Sequence, residues 1–115
     1  MNGAELIVRE RQRQIEVEGW TPEHDDAHNM CQILDAAICY AGMAGSQVID
    51  RDGGSMAKVA LMEGWPWSPE WWKPSTDPVC NLVKAGALIA AEIDRLQRAQ
   101  KLDEYMDMQN ETSPY

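Results

Sequence analysis

The sequence predicts an all-α domain, and two features of the chain support that prediction. Apolar side chains recur at intervals of three and four residues through its long stretches, which is the period of a helix with one buried face. Glycine, proline and helix-capping residues punctuate the chain between those stretches. We expect three main helices, one short helix and an irregular segment rich in tryptophan and proline.

Length and charge exclude several classes of protein. The 115 residues fit a single domain, with 44% hydrophobic and 25% charged residues as in ordinary globular chains. Ten Lys and Arg against 19 Asp and Glu give a net charge of -9. A chain that reads nucleic acid or binds an anionic membrane normally carries a basic face, so neither is expected as a partner. No apolar stretch approaches the roughly 18 residues needed to cross a bilayer.

The ends of the chain and its cysteines bear on organisation and compartment. Residues 1–103 are predicted to form one helical domain, and 104–115 an acidic, frayed tail in which the apolar period is lost. No basic segment followed by an apolar run opens the chain, so no signal peptide is expected. Three cysteines without paired zinc-binding spacing fit reduced thiols in the cytoplasm.

The first helix is predicted over residues 4–18, which contain good helix formers and no Pro or Gly. Gly19 is suited to end it. Arg11 shares the thin apolar face of Ile7 and Ile15, so its semi-buried guanidinium needs an acidic partner. That partner is Asp25, Asp26 or Asp35 in a structural salt bridge, and a clamp on a ligand phosphate is the alternative.

The second main helix has the clearer period. Thr21 is predicted to cap a single helical turn with Pro22 at its first position. Asp25 or Asp26 is then predicted to cap the main helix, which should end near residues 42–45. Its apolar positions are Met30, Ile33, Leu34, Ala37, Ile38 and Ala41.

Turn signals fill residues 45–55, where Asp52-Gly53-Gly54 suits a tight turn and Val48-Ile49 a short extended piece. A short helix is predicted over 56–64. The last helix should begin with Asp77 as its cap and Pro78 at its first position. Leu82, Ala85, Gly86, Ile89, Ile93 and Leu96 then line one face, where small residues let another helix approach closely.

Residues 65–78 form the least ordinary segment. Four of the five Trp and four of the six Pro lie there, and the chain contains no Phe. Proline fixes φ and removes amide donors, so no long helix or central strand passes through this segment. Its rigid aromatic surfaces suit either a wrap over the core or the wall of a pocket.

A lysine beside exposed indoles suits an anionic ligand with a flat ring, because the ring stacks while the amine meets a phosphate or carboxylate. Core packing with a solvated lysine is the alternative. The candidate ligand-binding residues are Arg11, Trp20, His24, Asp25, Trp67, Trp72, Lys73 and Lys84.

A metal site is a weaker hypothesis. His24 and His28 are four residues apart, which places both imidazoles on one helix face, and Asp26 could add a carboxylate. The alternative is that an aspartate caps a helix while both histidines point to solvent. Neither a nucleophile motif, a phosphate-binding loop nor a complete magnesium carboxylate set is found. We therefore assign no catalytic residue, expect no cofactor and do not favour an enzyme.

Three strings of the sequence resemble a family of small proteins found in phages and prophages of proteobacteria. They are E-R-x-R-Q-x-x-x-E-G-W-T-x-x-H-D-D-x-H from Glu10, W-P-W-x-x-x-W-W-K-P from Trp65 and L-V-K-A-G-A-L-I-x-A-E-I-x-R-L from Leu82. The family implies no activity, and Cys31-Gln32 replaces its expected Gly-Glu. A fainter resemblance to the ryanodine-receptor repeat domain lies in Arg11, Glu18-Gly19-Trp20, Asp25-Asp26 and His28. That resemblance implies a binding module for a nucleotide-like ligand.

Three functions follow as hypotheses. The first is a phage binding module in the host cytoplasm that captures a small anionic, nucleotide-derived ligand, as counter-defence by sequestering a host immune signal. The second is an acidic inhibitor directed at a host defence or nucleic-acid enzyme. The third is a metal-dependent nucleotide hydrolase that uses His24, Asp25, Asp26 and His28. A homo-oligomer is expected in each case, because a small core leaves apolar surface to cover.

Overall fold

The structure, a computed structural model, describes residues 1–49 and 55–100. These residues confirm the all-α class, and no strand occurs among them. Single 3₁₀ turns cover Met62–Gly64 and Pro69–Trp71. The α-helices are α1 (Gly3–Glu16), α2 (Pro22–Asp26), α3 (Gln32–Ile49), α4 (Ser55–Leu61) and α5 (Pro78–Ala99).

Reciprocal hydrogen bonds at the N-terminus begin α1. The Asn2 side chain accepts from the Glu5 amide at 2.9 Å, and the Glu5 carboxylate accepts from the Asn2 amide at 3.3 Å. After α1, Gly19 adopts φ +75°, a left-handed conformation that glycine reaches without steric cost. The predicted first helix is therefore confirmed, but it ends at Glu16 with Val17 as its C-cap, so Gly19 begins the turn after the helix and does not end the helix itself.

The start of the second main helix was predicted wrongly. Thr21 accepts from the His24 amide and caps the short helix α2, as expected, but Asp25 and Asp26 lie inside α2 and cap nothing. The long helix α3 begins only at Gln32, after Cys31 at φ 65°. Both aspartates are instead held by arginines, Asp25 by Arg11 and Asp26 by Arg98.

The predicted end of this helix, near residues 42–45, and the extended piece at 48–49 are also wrong, because α3 continues to Ile49. Each interior glycine costs a helix only about 1 kcal/mol. Beyond Gly42, burial of Met43 and Ala44 and the hydrogen bonds of Gln47 stabilise the helix. Tertiary packing thus overrides the local glycine signal.

Helices α3 and α5 pack antiparallel and form the main contact of the fold, since Gln47 near the end of α3 meets Asn81 near the start of α5. Asn81 is fully buried, and its amide nitrogen donates to Gln47 Oε1 at 2.8 Å and to the Ser75 carbonyl at 2.9 Å. The Ser75 amide donates back to Asn81 Oδ1 at 2.8 Å. These bonds join α3, α5 and the end of the tryptophan-rich segment.

Asp77 caps α5 by accepting from the Val79 amide at 2.9 Å, with Pro78 at the first position, as predicted. The predicted apolar face of α5 differs from the buried one. Helix α1 does approach at Gly86, where an added Cβ would lie 2.6 Å from Ile7 Cδ1. The residues of α5 that are buried are Asn81, Ala85, Ala87, Leu88, Ala91 and Glu92.

The predicted short helix over 56–64 corresponds to α4 and the 3₁₀ turn that follows it. The predicted turn at Asp52-Gly53-Gly54 and the predicted tail over 104–115 lie outside the described residues. Among the helices of residues 1–49 and 55–100, none is long and apolar enough to cross a membrane.

Candidate functional site

A buried ion pair positions the short helix α2 against α1. Arg11 Nη2 lies 2.7 Å from Asp25 Oδ2, and the two side chains are 11% and 4% exposed. Arg11 Nη1 also reaches the Trp20 carbonyl at 3.5 Å. The salt-bridge interpretation of Arg11 is therefore the correct one. Arg11 and Asp25 were predicted as ligand contacts, but their charges are paired within the fold, and neither residue is in the lining of the two cavities described below.

The segment held by this ion pair, residues 20–28, carries three aromatic rings that contact one another in sequence. Trp20 and His24 lie nearly parallel, with centroids 6.2 Å apart and an interplanar angle of 8°. His24 and His28 follow edge to face at 4.8 Å. His24 Nδ1 lies 3.3 Å from Asp25 Oδ1, so the buried aspartate also orients this imidazole.

Neighbouring tryptophans of the tryptophan-rich segment differ in exposure, since one lies in the core and the other on the surface. Trp72 is 4% exposed, packs on Tyr40 at 4.9 Å and donates its indole N–H to the Lys58 carbonyl at 2.9 Å. Trp71, its neighbour, is 55% exposed. Trp72 was predicted as a ligand contact, but it is a core residue whose one polar atom is already satisfied.

Residues 20–28 contact the tryptophan-rich segment through His28 and Trp67. The ring centroids of these two residues are 5.2 Å apart, and the interplanar angle is 64°. Trp67 in turn contacts Trp65 edge to face at 5.4 Å. Trp65 contacts Tyr40 of α3 at 5.7 Å and donates its indole N–H to the Ser68 carbonyl. A continuous series of aromatic contacts therefore runs from Trp20 to the core.

These rings surround a cavity of about 470 Å³, which we call the aromatic cleft. Its volume lies within the range of small-molecule sites in proteins, about 300–1,000 Å³. The one acidic side chain in its lining is Glu18. The lining consists of Glu18, Trp20, His24, His28, Tyr40, Trp65, Trp67, Ser68 and Trp71.

A second cavity of about 370 Å³, the lysine cleft, adjoins the first and shares Glu18, Trp20, Tyr40 and Trp71 with it. Its other lining residues are Glu10, Arg13, Gln14, Lys73, Cys80, Lys84 and Leu88.

Two ammonium groups face the lysine cleft. Lys84 Nζ donates to the Lys73 carbonyl at 3.2 Å and lies 5.4 Å from the centre of the Tyr40 ring. Lys73 Nζ lies 5.7 Å from the centre of the Trp71 ring. Neither ammonium has a carboxylate within 4 Å in the described part of the chain.

The third cation of this cleft is already neutralised. Arg13 makes ion pairs with Glu10 at 2.6 Å and with Glu18 at 2.9 Å. The hydrogen bond to Glu10 is the largest cause that raises the Arg13 pKa above its ordinary value. The cations of the cleft that remain for an anionic ligand are therefore Lys73 and Lys84.

Burial controls protonation in the aromatic cleft. It lowers the His28 pKa below its usual 6.5, the nearby His24 lowers it further, and Asp25 opposes both effects. Burial likewise raises the Tyr40 pKa above its usual 10. At neutral pH the His28 imidazole is therefore uncharged and the Tyr40 hydroxyl keeps its proton.

The structure brings together two of the three predicted metal ligands, His24 and His28, but not Asp26. Asp26 Oδ1 accepts from Arg98 Nη2 at 2.9 Å on α5, and Asp26 does not line the aromatic cleft that holds both histidines. Residues 1–49 and 55–100 contain no group of three or more His, Cys, Asp or Glu side chains arranged to hold a metal ion.

Of the eight residues predicted to contact a ligand, five line the two clefts. Trp20, His24 and Trp67 line the aromatic cleft, and Lys73 and Lys84 line the lysine cleft. Sequence reasoning did not assign Trp65, Trp71 or Tyr40 to the site. The tryptophans were visible in the segment, whereas Tyr40 occupies the buried face of α3 and carries no site signal of its own.

Comparison of the chain with protein-family models, curated proteins and solved structures gives no match. The arrangement of the two clefts is therefore the main indication of function.

Proposed function

We propose that this protein is a binding module that captures a small anionic, nucleotide-derived ligand. The observation that supports this most is the continuity of the two clefts, which share Trp20, Tyr40 and Trp71. A ligand that spans them places its ring against indoles and its anionic group near Lys73 and Lys84. Stacking tolerates any base, since every base has a π face, and a charge-assisted hydrogen bond adds affinity.

Glu18 supplies a second element of recognition in this proposal. Its carboxylate lies at the junction of both clefts, where it is paired with Arg13. A carboxylate only accepts hydrogen bonds, so it favours ring edges that carry N–H donors. Lys73 and Lys84 line the lysine cleft and not the aromatic cleft, which favours one orientation of the ligand, with the ring against the indoles and the phosphate beside the lysines.

The biological use we propose is counter-defence, in which a phage protein sequesters a nucleotide-derived immune signal in the host cytoplasm. The resemblance of the Glu10–His28, Trp65–Pro74 and Leu82–Leu96 strings to phage proteins supports this use. Capture needs a complementary cleft and no chemical step, and the indole rings and two lysines of the lining are groups that bind such a ligand.

A thermal-shift screen tests the proposal, because a ligand that binds the native state raises its stability. The panel comprises nucleoside monophosphates, cyclic nucleotides, nicotinamide-derived metabolites and the matching nucleosides without phosphate. We expect a phosphate-bearing compound to raise Tm and its nucleoside to raise it less. Lys73→Ala or Lys84→Ala should weaken binding about tenfold or more, as expected for a charged hydrogen bond, and Lys58→Ala on α4 is the matched control. A panel without any stabilising compound would contradict the proposal.

The net charge of -9 favours one other candidate, an acidic inhibitor that covers the basic groove of a host defence or nucleic-acid enzyme. Association steered by opposite charges weakens as salt screens them. Inhibition of such an enzyme that fades between 50 and roughly 500 mM salt would support this candidate. Inhibition that is independent of salt would count against it.

A further inference from the structure

The one buried residue of α1 is a polar one, Gln14, which is 1% exposed. Its amide nitrogen donates to Glu10 Oε2 at 3.3 Å. Its amide oxygen, Oε1, is also buried and accepts no hydrogen bond from any donor within residues 1–49 and 55–100. Buried polar atoms are nearly always hydrogen-bonded, so this oxygen marks a place where a donor from outside the fold can bind.

The carboxylate of Glu10 determines which atom of the Gln14 amide lacks a partner. Turning a glutamine amide over exchanges its nitrogen and its oxygen. Glu10 is ion-paired with Arg13, and an ionised carboxylate only accepts hydrogen bonds. The amide nitrogen must therefore face Glu10, and the oxygen is the atom without a partner. The group that completes this site is thus a donor, an O–H or an N–H.

Gln14 lies in the wall of the lysine cleft and not of the aromatic cleft. The other buried side-chain atom without a partner in the described ranges, Arg11 Nε, belongs to neither lining. The last torsion of a glutamine side chain has a broad energy minimum, and 3.3 Å is long for an N–H···O bond. A small rotation about that torsion therefore turns Oε1 toward a group in the lysine cleft without breaking a strong bond.

The chemistry of a nucleotide indicates which of its groups is the donor. The oxygens of an ionised phosphate are acceptors, so a phosphate beside Lys73 and Lys84 cannot donate to Oε1. The ring lies against the indoles of the aromatic cleft, whose lining does not include Gln14. The sugar joins the ring to the phosphate, and a sugar hydroxyl both donates and accepts hydrogen bonds. A sugar hydroxyl is therefore the donor that enters the lysine cleft together with the phosphate.

We propose, in an inference that rests on the proposed function, that Gln14 Oε1 accepts a hydrogen bond from a ribose hydroxyl of the ligand. Gln14 is then a specificity-determining residue, and the ligand class is the ribonucleotides. A sugar without hydroxyls leaves the buried oxygen unpaired in the complex. A site that provides a hydrogen-bond partner for a hydroxyl strongly rejects the analogue that lacks it.

Calorimetric titration with the ribonucleoside 5′-monophosphates and with their 2′,3′-dideoxy counterparts tests this proposal. The wild type should bind the ribonucleotide about tenfold more tightly than its dideoxy counterpart. Gln14→Met keeps the length of the side chain and removes the amide, so it should bring this ratio close to one by weakening the binding of the ribonucleotide. Gln12→Met, the same substitution at an exposed position of α1, should leave the ratio unchanged.

Thermal unfolding shows whether Gln14→Met folds, and Gln14→Leu is the second variant if it does not. Equal affinity of the wild type for the two sugars overturns the inference, whereas the proposed function stands if that binding still depends on Lys73 and Lys84. A ribonucleotide preference that persists without the Gln14 amide also overturns it, because another residue then binds the hydroxyl. A wild type that binds no nucleoside monophosphate overturns it too, and the wider thermal-shift panel decides the proposed function separately.

Discussion

The imidazole of His28 lies edge-on to the indole of Trp67, with ring centroids 5.2 Å apart. This contact joins the residues that follow α2 to the tryptophan-rich segment, and it forms part of the wall of the aromatic cleft. Both segments have little regular structure. Their positions therefore depend on a few anchors, among them the buried Arg11–Asp25 pair and the Trp72 hydrogen bond.

Removal of one partner of the Arg11–Asp25 pair should be strongly destabilising. Asp25→Ala leaves a guanidinium that is only 11% exposed without its carboxylate, and breaking a buried pair typically costs about 3–5 kcal/mol. Arg98→Ala breaks the more exposed Asp26 pair, for which about 0–1 kcal/mol is expected. Urea unfolding gives both values. Equal losses in the two variants would show that the Arg11–Asp25 pair does not anchor α2.

Truncation of the adjacent residues Trp71 and Trp72 should affect different properties, ligand binding for Trp71 and stability for Trp72. Trp72→Ala empties a core position and is expected to lower the free energy of unfolding by about 3–5 kcal/mol. Trp71→Ala should change it by less than about 1 kcal/mol, because most of that side chain is already in water. Trp71→Ala should instead weaken ligand binding, since Trp71 lines both clefts. Thermal unfolding and calorimetric titration measure the two effects, and comparable destabilisation by both would be inconsistent with the structure.

Acidification should destabilise the protein through His28. Its pKa is lowered in the folded state, chiefly by burial, so the unfolded chain binds the proton more tightly. Stability from this group is therefore complete above the unfolded pKa of about 6.5 and is lost as the pH falls below it. Unfolding midpoints in urea at pH 7.5 and 5.5 should differ more for the wild type than for His28→Gln. The same pH dependence in both proteins would show that His28 does not contribute.

The sequence predicted the fold where the signal is local. Asp77 and Pro78 start α5, Thr21 and Pro22 start α2, and Gly19 forms the turn after the first helix, each through a cap or a φ preference within a few residues. Local signals of this kind do not predict where α3 ends. Its last turns depend on Gln47, whose partners Ser75 and Asn81 are distant in the sequence.

In the candidate site too, the sequence predicted the features that depend on local residues but not those that depend on distant contacts. Composition located the tryptophan-rich segment and its lysine, but it could not separate Trp71 from Trp72, because that depends on which side of a 3₁₀ turn meets the core. The ion pair of Asp26 could not be predicted from the sequence either. Its partner Arg98 is 72 residues away, and no local pattern indicates that pair.

The central claim is that Trp20, Trp67 and Trp71 form the wall of one ligand cleft, while Trp72 belongs to the core. The most direct test follows the five indole N–H signals by heteronuclear NMR during titration with the nucleotide that most raises Tm. The signals of Trp20, Trp67 and Trp71 should shift together with one dissociation constant, and that of Trp72, bonded to the Lys58 carbonyl, should stay in place. Saturable binding that leaves those three signals unmoved would contradict the claim.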